Sequence, residues 1–443
     1  MKKQTLDCVI IGGGIAGLSS AYTLKNKKFL ILDENNYLGG RTHCEKQINF
    51  TMERGAVYLL FMGHRAKNLL KELKLEKKIE KINKKVGFFY NKKLHELKVN
   101  NPLEIIHSFI KFKIIKKNVQ NVVNFIKLYL ESIQTFTRVT SSYKNLKEQD
   151  SESGEKWLKK YFDSQIINKI FEPISETFLF SKTKKISSTI MKVVLGAFFH
   201  FTNPIYIIKG GIYTISKNLE KSLPNYSFRL NEKVTEIRRI KKGFSIKSEN
   251  GTTYICKSVI SAIPIPNLIK IKKNFVLENL SAVEYKKIIS INLGIKHTIE
   301  EFKGHHIIFL ESSKDRPLVL VGDMQNKSSS LSNKTSILYM IISSEYSEYY
   351  FDKKDNELYD IIYNQLEEIF PKFRKDSILV KNISRWENAF CLVNKKYFKF
   401  DNVKTKVPGF FICGDSILPG IDGVIESGLD AGNFSLNYLD ESN

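Results

Sequence analysis

The sequence predicts an α/β fold in which a parallel sheet is assembled from distant parts of the chain, with an α+β region inserted between them. The N-terminus supports this, because apolar runs at residues 6–11 and 28–33 flank a stretch with helical periodicity at 15–26. This is the pattern of a β-α-β unit. Residues 407–439 return to strand, glycine-rich turn and helix at the other end of the chain. Both ends are therefore expected to complete one domain.

A glycine pattern joins the first strand to the first helix. Gly12, Gly14 and Gly17 have the spacing Gly-x-Gly-x-x-Gly. The first glycine permits a tight turn, the second lets a pyrophosphate approach the backbone, and the third lets helix and strand pack closely. The start of the helix, at Ile15 and Ala16, would stabilise the phosphate charge with its free N–H groups.

An acidic residue follows the second strand, as a dinucleotide-binding unit requires. Asp33 ends the strand and Glu34 is its neighbour, so either carboxylate can accept a hydrogen bond from a ribose hydroxyl. Such a Rossmann-like unit binds NAD or FAD, and its glycines do not distinguish them. Downstream, Gly39, Gly40 and Arg41 offer a second close approach to backbone and a guanidinium for a phosphate. A nicotinamide dehydrogenase does not need this second motif.

With "MERGAVYL" at 52–59, the order of these motifs resembles the N-terminal region of the flavin-containing amine oxidase superfamily. That superfamily includes monoamine and polyamine oxidases, protoporphyrinogen oxidases and phytoene-type desaturases. The resemblance continues at 207–223, 258–264 and 409–432. It implies FAD as the cofactor, held non-covalently, because the covalent-flavin cysteine motif of monoamine oxidases is absent. The cofactor-binding residues that it adds are Gly55, Ala56, Val234, Ala262, Gly414, Asp415, Gly423, Val424 and Ile425.

The resemblance also implies individual roles for some of these residues. Val234 would contact the adenine through its backbone, and Asp415 would bind the pyrophosphate or the ribityl chain. Residues 423–426 are expected to open the last helix and to place backbone N–H groups at the flavin N1–C2=O edge. A helix N-terminus there would stabilise the negative charge of reduced flavin.

No side chain is a firm candidate for catalysis. Amine oxidases of the superfamily place a lysine near flavin N5 through a water, and Lys287, before an apolar run at 288–295, could take that position. The alternative is a solvated charge beside Lys286. The sequence predicts no metal site, because the adjacent His305 and His306 would point to opposite faces of a strand. Flavin itself supplies the hydride acceptor.

The inserted region favours one branch of the superfamily. Segments 64–97 and 155–190 resemble the substrate-domain helices of protoporphyrinogen oxidases and isoprenoid desaturases more than those of amine oxidases. "RWENAF" at 385–390 also resembles their motif, although Cys391 replaces the usual proline. We therefore expect hydride abstraction from a large hydrophobic substrate, with O2 or a quinone-like electron acceptor. The alternatives are a soluble flavin amine oxidase acting on a C–N bond and a non-catalytic flavin-binding scaffold.

The domain organisation follows from these assignments. The predicted FAD-binding domain is discontinuous and comprises residues 1–63, 205–265 and 405–443. The predicted substrate-binding domain is α+β, with a mixed sheet and a mainly helical part at 64–200, and comprises residues 64–204 and 266–404. Two hairpins are predicted, one at 85–97 with Asn91-Lys92 at its turn and one at 243–264 with Asn250-Gly251.

The charge distribution raises the question of an anionic partner. The formal net charge is +24, and the stretch Arg65–Lys117 has 16 basic and 5 acidic residues in 53 positions. Compositional bias explains this charge as well as binding to an anionic membrane surface does. No zinc spacing or RNP-type aromatic motif supports nucleic-acid binding. Five cysteines without a CxxC pair predict reduced thiols and a cytoplasmic protein, which could lie peripherally on the cytoplasmic membrane face.

Overall fold

The computed structural model describes residues 5–60, 64–82, 85–98, 101–111, 118–141, 152–200, 205–302, 304–327, 335–394 and 403–441. The strands are β1 Leu6–Ile11, β2 Phe29–Leu32, β3 Cys44–Gln47, β4 Phe50–Glu53, β5 Leu59–Leu60, β6 Ile79–Lys81, β7 Val86–Tyr90, β8 Lys93–Leu97, β9 Ile205–Ile208, β10 Phe228–Arg229, β11 Val234–Ile240, β12 Gly243–Ser248, β13 Thr253–Ser261, β14 Tyr285–Ile295, β15 Ile307–Leu310, β16 Leu318–Asp323, β17 Ser336–Ile342, β18 Ile378–Cys391 and β19 Phe410–Ile412. The helices are α1 Ile15–Thr23, α2 His64–Glu72, α3 Pro102–Lys111, α4 Val119–Ser141, α5 Gly154–Leu158, α6 Ser164–Ile166, α7 Glu172–Phe178, α8 Ser188–Phe199, α9 Tyr213–Lys221, α10 Ile265–Ile271, α11 Met324–Lys327, α12 Ser344–Tyr350, α13 Asp355–Ile369 and α14 Gly420–Glu441.

The first sheet joins both ends of the chain. Its strand order is β10-β2-β1-β13-β12-β11, and β19 pairs with β13. β1 is parallel to both β2 and β13, and β13 is parallel to β19. α14 packs on α1 at very close range, because a Cβ on Gly428 would lie 2.5 Å from the Ala16 carbonyl oxygen. The α/β fold with a discontinuous parallel core is therefore confirmed.

The second sheet is mixed and has the order β18-β14-β17-β16-β15-β7-β8. The β7–β8 hairpin is confirmed, with Asn91 and Lys92 both at positive φ (50° and 57°), as a two-residue turn between twisted strands requires. The β12–β13 hairpin is confirmed as well, with Gly251 at φ 87°. The segments that make up the two sheets alternate along the chain, and the domain boundaries given above stay a prediction.

Helices α3 to α8 cover part of the second sheet. α3 buries one apolar face, since Ile105, Ile106 and Phe109 are in the core. α4 and α8 are in close contact, because a Cβ on Gly196 would lie 2.5 Å from the Ser132 carbonyl oxygen. The basic residues that follow in the sequence, Lys113, Lys116 and Lys117, lie outside the described residues. None of the described helices is both long enough and apolar enough to cross a bilayer.

Candidate active site

A cavity of about 1520 Å³, including its open mouth, lies between the two sheets. One end is formed by residues that follow parallel strands of the first sheet, among them Gly14, Ala262 and Gly414. In a parallel sheet the carboxyl ends of the strands meet at one edge, where ligands bind. The other end is formed by side chains of the second sheet and of α7. The cavity therefore has a glycine-rich half and an apolar half.

The glycine-rich half has open space where side chains would stand. A Cβ on Gly14 would have no protein atom within 4 Å, although its φ of −68° is ordinary for any residue. Gly414 and Gly420 also have no neighbour within 4 Å. Gly12 differs from Gly14, because its φ of 102° requires glycine. The cradle therefore fits a group that comes close to the backbone at Gly14, as a dinucleotide pyrophosphate does.

Asp33 lies directly under the glycine turn. Its Oδ2 accepts a hydrogen bond from the Gly13 N–H at 2.6 Å, and its Oδ1 accepts one from the Asn35 N–H at 2.8 Å. Asp33 is buried and Glu34 is exposed. Backbone bonds from Asn231 and Glu232 to the 33–35 segment bring Val234 to the same side of the sheet. Of the two carboxylates, Asp33 is the one that the fold holds at the turn.

Arg41 and Asp415 form a two-pronged ion pair in the cavity wall. Arg41 donates from Nη1 and Nη2 to the two Asp415 oxygens, at 2.7 and 2.9 Å. Asp415 also accepts from the Tyr285 hydroxyl at 2.9 Å and from the Cys391 N–H at 3.2 Å. Burial favours the neutral carboxyl, but the Arg41 charge and these donors outweigh it and lower the pKa of Asp415.

The bond from Cys391 explains a departure from the family pattern. A proline, which is usual at this position, has no N–H and could not donate to Asp415. Cys391 ends β18 and is fully buried, so that its N–H reaches the ion pair. The non-proline residue therefore adds one donor to the Asp415 cluster without disturbing the strand.

Lys287 does not face the cavity, which corrects its expected position near flavin N5. Its Nζ lies 4.5 Å from the centre of the Phe351 ring, and Lys286 points the same way, toward Glu348 on α12. Ile288 and Ser290 line the cavity instead. The pairing of β14 with β18 shifts between Lys286 and Ile288, and this irregularity places both lysines on the far face of the sheet.

The start of the last helix also needs correction. α14 begins at Gly420, three residues before the expected Gly423. Gly423 packs against Leu418, and Ile425 is in the core, so neither lines the cavity. Gly420, with φ 80°, permits the turn that starts the helix earlier. The helix N-terminus at the cavity is therefore formed by residues 420–422, together with the side of Val424.

The expected cofactor residues divide into two groups in the structure. Those that line this cavity are Gly14, Ile15, Ala16, Gly39, Arg41, Gly55, Ala56, Ala262, Gly414, Asp415 and Val424. Those outside its wall are Gly12, Gly17, Asp33, Glu34, Gly40, Val234, Gly423 and Ile425. Their contacts with a cofactor stay a prediction.

The apolar half of the cavity comes from residues that the sequence did not reveal as a group. Its aromatic residues are Tyr58, Phe178, Phe180, Tyr339, Trp386 and Phe390. Aliphatic residues form much of the rest of its wall, namely Val57, Ile205, Ile288, Leu320 and Ile341, and the hydroxyl-bearing Thr177 and Ser290 also line it. The "RWENAF" motif contributes two of these aromatic residues, and it was the one sequence pattern that pointed to this part of the wall. The other residues are brought together by long-range packing.

Two aromatic side chains of this half meet across the cavity. The Phe180 and Phe390 rings have their centres 5.3 Å apart. Phe180 is held at φ 49°, a left-handed conformation that is strained for a bulky residue. The Tyr339 hydroxyl is occupied, because it donates to the Gly55 carbonyl at 3.0 Å. Ser290 likewise donates to the Arg54 carbonyl at 2.6 Å.

A buried ion pair lies behind Tyr58. Lys327 Nζ is 2.5 Å from Glu53 Oε2, and each side chain is only 2% exposed. Burial lowers the pKa of Lys327, and Glu53 opposes that shift. The other Glu53 oxygen accepts from the Ile212 N–H at 2.7 Å, next to the start of α9. Within the described residues, no cluster of three or more His, Cys, Asp or Glu side chains could hold a metal ion.

Glu176, on α7, gives a pH prediction. Burial and then the charge of Glu172 raise its pKa to about 7. Because the folded state holds this proton more tightly than the unfolded chain, stability falls as the pH rises from the unfolded value of 4.5 to about 7. We expect Glu176→Gln to raise the free energy of unfolding by about 3 kcal/mol near pH 8 and to leave it nearly unchanged near pH 3.5, below the unfolded pKa. Urea titrations at both values measure this, and an equal gain at both would contradict it.

The comparisons with known proteins agree with this geometry. A family model described as flavin containing amine oxidoreductase matches residues 15–433. A Dictyostelium discoideum protein provisionally assigned as flavin-containing monoamine oxidase A is 26% identical over 278 residues, 58% of this chain and 57% of that protein. The chain thus spans little more than half the length of this curated relative.

Solved structures similar in fold cover nearly the whole chain. An Exiguobacterium protein provisionally assigned as a protoporphyrinogen oxidase has a TM-score of 0.78 at 16% identity, covering 98% of this chain and 99% of that one. Wild-type putrescine oxidase bound to putrescine has a TM-score of 0.76 at 15% identity, with the same coverage of 98% and 99%. At these identities the likeness shows the fold alone.

Proposed function

This chain belongs to the flavin-containing amine oxidoreductase family, and from that premise we propose that it is an oxidoreductase that removes hydride from a large apolar substrate. The family's cofactor is FAD, which supplies the hydride acceptor when bound. The Gly14 turn, Asp33 and the start of α14 would hold it. The proposed substrate is of the protoporphyrinogen or isoprenoid type, and O2 or a quinone-like molecule would reoxidise the flavin.

The observation that carries this proposal is the composition of the apolar half. Its wall is aromatic and aliphatic, and among the described residues it contains no lysine or histidine. The charged residues of the cavity, Arg41, Asp415 and Asp422, belong to the glycine-rich half. An apolar wall of this kind excludes water and orients a large planar or polyene substrate by contact area. In this arrangement the protein binds and positions the substrate, and the cofactor supplies the redox chemistry.

Oxygen consumption by the purified FAD-loaded protein, and quinone reduction followed by absorbance where a quinone is added, test the proposal. The panel contains a porphyrinogen, a polyene precursor, a primary monoamine and putrescine, each with and without an added quinone. We expect turnover with one of the two apolar donors. Turnover with an amine and with neither apolar donor would support the second candidate function, amine oxidation, which the curated monoamine oxidase relative favours.

Lys287→Met distinguishes a lysine-assisted mechanism from the one proposed. Because Lys287 lies on the far face of β14, against Phe351, we expect the variant to change the rate of flavin reduction by less than about twofold. A lysine that acted in proton transfer at the flavin would cost about 100-fold or more when removed. Rapid-mixing absorbance measures the rate, and a loss of that size would place Lys287 back at the cavity.

We also propose that the protein binds an anionic membrane surface through α4. Val119, Val123, Ile126 and Leu130 recur at helical spacing on one face, and all four are exposed; this set is the α4 stripe. Val119 is 80% and Leu130 59% exposed. The basic excess of the preceding stretch, Arg65–Lys117, supplies attraction to anionic lipids, while the stripe supplies apolar area for insertion.

Sedimentation with phosphatidylcholine vesicles containing about a third phosphatidylserine tests the membrane proposal. Val119→Glu/Leu130→Glu is expected to lower binding about tenfold, because two charges would enter the interface. Val276→Glu is the matched control, since Val276 is 77% exposed outside the stripe. High salt should also release the wild type. Equal loss in the stripe variant and the control, or no wild-type binding at low salt, would remove the proposal.

A further inference from the structure

We infer that Tyr58, with the buried Glu53–Lys327 pair behind it, sets the charge class of the substrate: the cavity accepts a neutral hydrogen-bonding group and rejects an ammonium ion. This inference rests on the proposed function, because Tyr58 lies in the half of the cavity assigned to the substrate. Tyr58 is partly exposed to the cavity, and its hydroxyl has no hydrogen-bond partner in the part of the chain that the structure describes. That hydroxyl is therefore available to a ligand.

The ring of Tyr58 separates the cavity from a positive charge. Lys327 Nζ lies 5.0 Å from the ring centre, while Lys327 is absent from the cavity wall. A cation on one face of an aromatic ring already engages the negative face of its quadrupole. Because Glu53 balances the charge of Lys327, a second cation on the cavity side would meet no net like charge but a ring whose quadrupole is already engaged. Tyr58 is therefore a poor cation–π site for an ammonium ion.

The pair behind the ring is fixed by its surroundings. Glu53 is in direct contact with Lys327 and opposes the lowering of its pKa by burial, and the second Glu53 oxygen is held by the Ile212 N–H. The Glu53 carbonyl accepts from Asn292 Nδ2 at 3.1 Å. The His306 ring stands edge-on to Tyr58, with centres 6.3 Å apart, and burial lowers its pKa to about 3, so it adds no charge. Lys327 is thus a positioning residue that acts on the ligand through Tyr58.

The substrate implied is apolar over most of its surface and carries a hydroxyl, carbonyl or other neutral hydrogen-bonding group. A protonated amine would find no carboxylate among the described residues of this apolar wall and would meet a ring already engaged by Lys327, whereas the Tyr58 hydroxyl can hydrogen-bond to a neutral group. These features around Tyr58 disfavour a protonated amine, and they do so independently of the position of Lys287.

The test uses FAD-loaded protein and two probes that share an apolar body, naphthylmethanol and the naphthylmethylammonium ion. Binding is read from the shift of the visible absorption band of FAD, so no turnover is needed. We expect wild type to bind the alcohol at least about tenfold more tightly than the ammonium ion. Glu53→Gln/Lys327→Met removes both charges and keeps an acceptor for Ile212. It should raise ammonium affinity about fivefold, whereas Lys287→Met should not.

Tyr58→Phe provides a second route if the double variant does not fold. This variant keeps the ring over Lys327 and removes the hydroxyl. It should weaken binding of the alcohol about fivefold and leave the affinity for the ammonium ion unchanged. An unchanged ratio of affinities in both variants would overturn the inference and leave the proposed function standing. Failure of both probes to perturb wild-type FAD would overturn the proposed function as well, because the apolar half would then not be a ligand site.

Discussion

Gly14→Val is expected to abolish FAD binding and leave the fold intact. The Gly14 backbone has an ordinary φ, and a Cβ there would have no protein atom within 4 Å, so the free protein accepts a side chain. The added methyls would fill the space that the pyrophosphate needs. We expect the Kd for FAD to rise by roughly 100-fold or more, with a change below about 1 kcal/mol in the stability of the FAD-free protein.

Gly17→Val is the matched control for this prediction. A Cβ on Gly17 would lie 2.0 Å from the Gly12 carbonyl oxygen, so this variant strains the contact between helix and strand itself. Gly17→Val should lower the free energy of unfolding by about 3 kcal/mol or more, as measured by urea unfolding without FAD. If Gly14→Val still retained FAD at full stoichiometry, the glycine-rich half would not be the cofactor site.

Arg41→Met is expected to be the most destabilising single change in the cavity wall. It leaves the Asp415 carboxylate, whose side chain is 8% exposed, without its cation. Breaking a buried pair from one side costs about 3 to 5 kcal/mol. Asp415→Asn should cost less, because the Arg41 side chain is 31% exposed and can be hydrated. The double variant Arg41→Met/Asp415→Asn should recover much of the loss.

The same pair predicts a pH dependence of stability. The pKa of Asp415 is lowered in the folded state, so its contribution is complete above the unfolded value of 3.8 and is lost as the pH falls through the folded value. Below about pH 4 the stability difference between wild type and the double variant should shrink. Urea titrations of the FAD-free proteins measure both effects. A difference that stayed constant down to about pH 2 would contradict the pairing.

Local patterns in the sequence predicted the local structure well. The glycine turn, Asp33 beneath it, and the two hairpins each depend on residues close together in the chain. For the hairpins the reason is direct: Asn91, Lys92 and Gly251 adopt the positive φ that their turns require. The joining of both ends of the chain in one sheet was also expected, because the strand-turn-helix pattern recurs at both termini.

The positions that depend on register were not predictable from sequence. A one-residue irregularity near Lys287 decides which face of β14 each side chain occupies, and no local pattern shows it. Gly420 starts α14 earlier than the resemblance implied. The apolar half of the cavity joins residues as distant as Tyr58 and Phe390. Only the packing of the second sheet against α7 and the glycine-rich half brings them together.

Anaerobic mixing of the FAD-loaded protein with single substrates tests whether the apolar half holds the neutral, largely apolar part of a hydride donor against the cofactor. We predict that a porphyrinogen or a polyene precursor bleaches the visible absorption band of FAD in a single turnover, and that putrescine and a primary monoamine do not. Bleaching by either amine, with the band unchanged by both apolar donors, would contradict the account.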